Sequence, residues 1–208
     1  MKVAVIGTSE SVGELVLKKL KEKNHQSVAV IKDEHRKPDM EKLGATEVVV
    51  NEGDHFEEVF AACNAVIYIA GSSQRTGENK TVLIDHDEVI DSIEEAKKMR
   101  IERFILMSAI RANESENSDS SKVGEKDKPD ERLREEGFKY TIIRPGHLTD
   151  KPGKGLVTIG ESLDIDEGEI SKEDVASVLV EILDNHDSFH KTFDVVSGNV
   201  PIHEAFYH

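Results

Sequence analysis

Two glycines frame the stretch Gly7-Thr8-Ser9-Glu10-Ser11-Val12-Gly13, which follows the apolar run Val3-Ala4-Val5-Ile6 and leads into a helical pattern. A strand that turns through glycine into a helix aims backbone N–H groups, and the positive end of the helix, at whatever lies above the turn. Such turns hold a pyrophosphate by those means. Gly7 can make the tight turn out of the strand, and Gly13 can let the helix pack close to the sheet. Between them Glu10 stands where a third glycine would let the backbone approach a phosphate, and its carboxylate opposes an anion unless the side chain swings away. A plain strand-to-helix turn fits the same residues; position after the very first strand favours the phosphate turn.

The segment IKDEHRK, residues 31 to 37, closes the second apolar run. An acid at that place would accept hydrogen bonds from a ribose 2′-hydroxyl, and a cation would pair with a 2′-phosphate. Successive strand residues face opposite ways, so only one of Lys32 and Asp33 can point at a ribose. Lys32 comes first, and Arg36 and Lys37 follow it in a strongly acidic chain. This order favours NADP(H) over NAD(H), the alternative being a solvated run of charges.

Three further places carry chemistry. Ser108 ends the run RFILMS and could orient a carbonyl; His147 follows Pro145 and Gly146, and histidine is a residue type suited to handing on a proton. The plainer readings are a strand-end hydroxyl bonded to backbone and a solvated loop histidine. The stretch 71 to 77, with Gly71 and Gly77 at its ends, could act as a polar lid with Arg75 reaching a phosphate, or simply as a long connection. The other histidines are scattered without metal-ligand spacing, and no G-x-S-x-G nucleophile elbow is present, which argues against a metal site and a serine hydrolase.

These residues need a scaffold, and the pattern supplies one. Short β-branched runs recur at 2–6, 27–31, 47–50, 65–70, 103–108, 140–144 and 192–196 with helical segments between them. Near-continuous apolar strands are buried on both faces, so the pattern predicts an α/β fold: a doubly wound, mostly parallel, Rossmann-like sheet of about seven strands with helices on both sides. The expected strand order is 3-2-1-4-5-6-7. Val82, Val89, Ile93 and Ala96 give the segment 80–99 a core-facing stripe. Ser171 and Asp174 resemble a capping box ahead of a helix over 172–183, and another helix is expected from Pro129 to Gly137. Residues 112–128 are almost free of apolar side chains and read as a surface loop. Residues 147–170 read as a small C-terminal cap on the substrate side, whose acids, Glu161, Asp164, Asp166, Glu167 and Glu169, would disfavour an anionic substrate.

The bulk numbers agree with one such unit. A chain of 208 residues with 37% hydrophobic content suits a single domain over 1–208. Its net charge of −15, from 27 Lys+Arg against 42 Asp+Glu, opposes nucleic acid and anionic membranes as partners and leaves a small-molecule substrate or a partner protein. Cys63 is the single cysteine and reads as a structural thiol. The apolar N-terminal stretch is too short for a signal h-region or a membrane span, which points to a cytoplasmic protein.

With VAVIG at the start, GSSQRTGENKT after the fourth strand, RFILMSA at the fifth, YTIIRPG at the sixth and ISKEDVA beyond, nearly the whole chain resembles the atypical short-chain dehydrogenase/reductase family. It is most similar there to the small bacterial NAD(P)-binding proteins of the NmrA-like and biliverdin-reductase-B-like kinds. The resemblance implies phosphate-loop roles for Gly7 and Gly13, a 2′-phosphate role for Lys32, and a cofactor-facing strand end at Ala70 and Gly71. It places Ser108 near the reacting centre and makes Ile143-Arg144-Pro145-Gly146 a wall beside the nicotinamide. Glu10 departs from the family pattern. So does the Tyr-x-x-x-Lys pair of carbonyl-reducing members, in which a lysine lowers the pKa of a proton-passing tyrosine. Lys126 falls where that lysine belongs, but Lys122 occupies the tyrosine's place. The implied activity is hydride transfer from NADPH to a small uncharged carbonyl or quinone-like acceptor. The alternatives are a non-catalytic redox sensor that binds the dinucleotide, and a degenerate scaffold that does not bind it.

Overall fold

The computed structural model describes residues 1–8, 11–51, 56–70, 86–108, 129–163 and 168–207. Seven strands answer the seven apolar runs: β1 (Lys2–Ile6), β2 (Gln26–Ile31), β3 (Glu47–Val50), β4 (Ala65–Ile69), β5 (Arg103–Met107), β6 (Lys139–Pro145) and, by its place in the chain, β10 (Lys191–Ser197). They lie in the order β3-β2-β1-β4-β5-β6-β10, every neighbouring pair parallel, which is the expected order. Parallel strands carry their carboxyl ends to one edge, so residues far apart in the chain meet there.

The sheet is larger than seven strands. β8 (Leu156–Gly160) pairs antiparallel with β10, and β11 (Val200–Pro201) pairs antiparallel with β8, making nine strands in this sheet. β7 (His147–Thr149) and β9 (Glu169–Ser171) form a separate two-stranded parallel sheet. The segment expected as one cap therefore divides between the edge of the main sheet and a small sheet beside it. The extra strands are short and partly exposed, so they lack the continuous apolar run of a strand covered on both faces.

Strand residues alternate between two cores. Val3, Val5, Ala29, Ile31 and Ile67 pack with α1 (Ser11–Glu22), α2 (Lys37–Leu43), α6 (Lys172–Glu181) and α7 (Ile202–Ala205). Ala4, Ile6, Val30, Val66 and Phe104 pack with α3 (Glu57–Phe60), α4 (His86–Lys98) and α5 (Pro129–Glu135). This period of two, with both sets buried, is why the runs are apolar without a polar face. Val89, Ile93 and Ala96 form the buried stripe of α4, as their spacing predicts; Val82 and the segment 109–128, which includes the expected loop, lie outside the described residues. Cys63 is half-buried, its Sγ donates to the Val59 carbonyl at 3.3 Å, and burial pushes the thiol up to about 11, so it stays protonated and structural.

Two polar devices tie the elements together. At the start of α6, Ser171 Oγ accepts from Asp174 N at 3.0 Å, the first half of the expected capping box. The second half is different: the buried Asp174 carboxylate accepts from Lys154 N at 3.0 Å and Gly155 N at 2.8 Å, so it binds the chain entering β8. At the amino end of the sheet Arg103 is buried in β5. It donates to the carbonyls of Leu183 at 3.2 Å, Ile182 at 2.7 Å and Lys139, and to Thr141 Oγ1 at 2.8 Å, and its guanidinium lies 4.7 Å from the ring centroid of Phe189. Burial pushes its pKa down to about 9, which leaves it charged at neutral pH.

Candidate functional site

The turn after β1 is built as its glycines require. Gly7 has φ +90°, in the left-handed region, and a Cβ there would fall 2.6 Å from the Ile69 carbonyl oxygen at the end of β4. A Cβ on Gly13 would fall 2.7 Å from Thr8 Cα, inside the turn itself. The first turn of α1 therefore presses on the chain leaving β1, closer than any other residue would permit. Thr8 is fully buried and its hydroxyl donates to the Val30 carbonyl, which ties the turn to β2. Ser11 opens α1 and Val12 is buried beneath it; Ser9 and Glu10 lie outside the described residues. The N-terminal N–H groups of a twelve-residue helix thus stand at the carboxyl edge of the sheet.

Moving along that edge, Lys32 follows β2 with its side chain 62% exposed, and its Nζ is 2.7 Å from Glu88 Oε2 in the first turn of α4. Asp33 is otherwise engaged: its Oδ1 accepts from His35 N at 3.0 Å and caps the 3-10 turn Glu34–Arg36. Arg36 pairs with Glu14 of α1 at 2.6 Å. Asn51, buried just past β3, donates its backbone N–H to the Ile31 carbonyl at 2.8 Å. It borders a cavity of about 910 Å³ whose other walls include Val50, Phe56, Glu57, Asp91 and Glu94.

The central strands bring the other candidates to the same edge. Ala70, buried after β4, donates its N–H to Met107 O at 3.0 Å, and Ser108, buried after β5, donates its own to Ile143 O at 2.9 Å. Pro145 ends β6. Gly146 donates its N–H to Val195 O at 2.9 Å, and a Cβ on it would meet the Gly168 carbonyl carbon at 2.9 Å. His147 is exposed and donates its N–H to Gly168 O at 2.8 Å. Gly71, Arg75 and Lys126 lie outside the described residues. The parallel topology therefore gathers Gly7, Lys32, Ala70, Ser108 and Pro145 along one edge. No group of three His, Cys, Asp or Glu side chains able to hold a metal occurs among the described residues.

Comparison with known proteins bears directly on this edge. The family model for NAD(P)H-binding proteins matches residues 7–186, from Gly7 of the turn into the segment after α6. The chain belongs to the NAD(P)H-binding family. It is 36% identical to the Bacillus subtilis protein YhfK, named an uncharacterized sugar epimerase, over 99% of this chain and 98% of that one. A solved Bacillus halodurans protein, provisionally termed an NAD-dependent epimerase/dehydratase, superposes with a TM-score of 0.86 at 32% identity, covering 99% of this chain and 98% of that one. The anaerobilin reductase ChuY from Escherichia coli O157:H7 shares the fold, with a TM-score of 0.73 at 20% identity over 95% of this chain and 97% of that one. The Rossmann-like class expected from the strand pattern is thus the class of these relatives, and the resemblance to NAD(P)-binding proteins of the atypical short-chain dehydrogenase/reductase kind holds.

Within this family member the edge also holds residues that sequence reasoning passed over. Arg144 of the Pro-Gly wall pairs with Asp130 of α5 at 2.7 Å, with 23% and 7% of the two side chains exposed. Among the described residues, Asp130 Oδ1 and Arg144 Nε find no hydrogen-bond partner. Asn51 carried a faint signal, a polar residue directly after the apolar run Val48-Val49-Val50; Glu88 and Asp130 carried none, being ordinary acids in the first turns of helices. Of the tyrosines, Tyr68 is buried in β4, Tyr140 starts β6 with its hydroxyl donating to His190 O at 3.2 Å, and Tyr207 is near the C-terminus and 59% exposed. None is followed four residues later by lysine.

Proposed function

We propose that this chain binds NADP(H) in preference to NAD(H) and passes a hydride from NADPH to a small uncharged carbonyl or quinone-like acceptor. The observation that carries the proposal is the contact between Gly7, Thr8 and Gly13, a turn with room for no side chain at either glycine, in a member of the NAD(P)H-binding family. Backbone groups of Gly7, Thr8, Ser11, Val12 and Gly13 would hold the diphosphate, and Lys32 the 2′-phosphate. Ala70, Pro145 and Gly146 would line the nicotinamide end. The bound cofactor supplies the hydride. The chain's own part is to exclude water behind the buried strand ends and to orient an acceptor with the Ser108 hydroxyl. The proton comes from His147, which is exposed to solvent, or from bound water. Quinone-like acceptors need the least help, since their reduced oxygens draw protons from solvent. The epimerase names of the relatives add nucleotide sugars to the acceptors worth testing, although a chain of net charge −15 disfavours such anions at long range.

One observation favours a second reading. No tyrosine of this chain is followed four residues later by a lysine, the spacing used for proton transfer, which suits a module that binds the dinucleotide and signals through its surface instead. Calorimetric titration with NADPH and NADH, then an NADPH-oxidation screen over aldehydes, ketones, quinones, flavins and nucleotide sugars, separates the readings. Tighter NADPH binding with turnover supports the reductase. Binding without turnover on any of them supports the sensor, and failure to bind either dinucleotide overturns both.

A further inference from the structure

We propose that Glu88, in the first turn of α4, sets the cofactor choice of this site by holding and neutralising Lys32, so that the chain discriminates less strongly for the 2′-phosphate than a free lysine would. The inference rests on the reading of the edge as a dinucleotide site. Lys32 Nζ lies 2.7 Å from Glu88 Oε2, and Glu88 is far the less exposed of the two, 13% against 62%. The carboxylate is therefore the fixed member of the pair and the ammonium the mobile one. The other charges behind β2 do not replace it in this task. Asp33 accepts from His35 N, and Arg36 is paired with Glu14 and lies 3.7 Å from Asp39. Glu88 is thus the acid paired with Lys32 beside the proposed ribose end.

The consequence follows from lysine geometry. An ammonium has three donors at tetrahedral angles, so a phosphate oxygen bonded to Lys32 while Glu88 keeps its own bond would sit about 4.5 Å from the carboxylate oxygen. Two anions at that separation repel, which takes away part of what the lysine contributes to the phosphate. A ribose 2′-hydroxyl meets no such penalty; it is neutral and can donate to a carboxylate. Glu88 thus lowers affinity for NADPH and leaves NADH nearly untouched. The position could not be found by scanning the end of β2, since the acid that opposes the lysine lies on another element, 56 residues away.

The test is calorimetric titration of wild type, Glu88→Gln and Lys32→Ala with NADPH and with NADH at about 20 and 300 mM salt. Glutamine keeps the size of the side chain, and thermal melts confirm folding. Glu88→Gln is expected to tighten NADPH about fivefold to tenfold, to change NADH by less than about twofold, and to show a smaller gain at the higher salt. Lys32→Ala should weaken NADPH alone. If Glu88→Gln changes both dinucleotides equally or neither, the assignment to Glu88 is overturned while the dinucleotide site stands. If wild type and both variants bind neither dinucleotide, the site reading fails and the inference with it. A Glu88→Ala variant gives the same readout should the glutamine bond Lys32 in turn.

Discussion

Gly13 is the residue at which local geometry and binding are most tightly joined. Its missing Cβ lets α1 close on Thr8, so Gly13→Ala forces a methyl to within 2.7 Å of a backbone carbon that no side-chain rotation can relieve. The turn must open, at a cost of about 1–3 kcal/mol. Urea denaturation should show that loss, and NADPH titration a weaker complex because the helix N–H groups have moved. Glu10 is expected to work in the opposite sense. A carboxylate about 6 Å from a pyrophosphate, at an effective dielectric of about 20, opposes binding by roughly 2–3 kcal/mol before salt and rotation reduce it. Glu10→Gly should therefore tighten binding about tenfold, by a factor that shrinks with salt. Unchanged affinity would show that the Glu10 carboxylate does not face the phosphates, and a gain insensitive to salt would show that its bulk was the obstacle.

Arg103 governs the opposite edge. Its donors satisfy carbonyls from β6 and from the residues following α6, so one side chain closes the amino end of the sheet over a break of some eighty residues. Arg103→Met fills much of the volume but removes the donors to those carbonyls, while the Thr141 hydroxyl keeps its bond to the Ser188 carbonyl, and the loss should cost about 3–5 kcal/mol in equilibrium unfolding. Arg103→Lys keeps the charge and loses the fork, and it should fall between the two. A methionine variant as stable as wild type would show that water takes over the bonds. The same contrast explains what the sequence discloses. Seven strands were legible because each carries an apolar run, almost wholly buried in β1, β2, β4 and β5, and the turn was legible because two glycines follow the first of them. β8 and β11 were not, since partly exposed residues break the run in β8, and β11, at the edge beyond it, has two residues. Asp174 matched a local motif and satisfied it by half, since its carboxylate found donors at Lys154 and Gly155 that only the folded chain brings near. Arg103, Glu88 and Asp130 act through partners 14 to 85 residues away, and single-sequence periodicity carries no record of such pairs.

The charge of the whole molecule acts over tens of ångströms and has its own consequence. Folding gathers a net charge of −15 into a radius of gyration of about 17 Å from about 50 Å in the unfolded chain. The resulting self-repulsion is on the order of 10 kcal/mol before screening. Against it stand surface ion pairs such as Lys139–Glu102 and Lys151–Glu169, each 2.6 Å apart and each weakened by the water around it. Salt treats the two unequally. Contact pairs are shorter than the Debye length at any ordinary salt, whereas repulsion across the molecule is cut when that length falls from about 30 Å at 10 mM to about 8 Å at 150 mM. The repulsion should lose a few kcal/mol and the pairs much less. The melting temperature at pH 7 is then expected to rise by several degrees on going from 10 to 150 mM sodium chloride, at about 2–4 °C per kcal/mol for a chain of this size. Near the isoelectric point, about pH 5.0, the net charge vanishes and the salt effect should vanish or reverse. Scanning calorimetry at both pH values decides it: a melting temperature that falls with salt at pH 7 would mean that the ion pairs, and not the excess of acids, dominate the electrostatics of the fold.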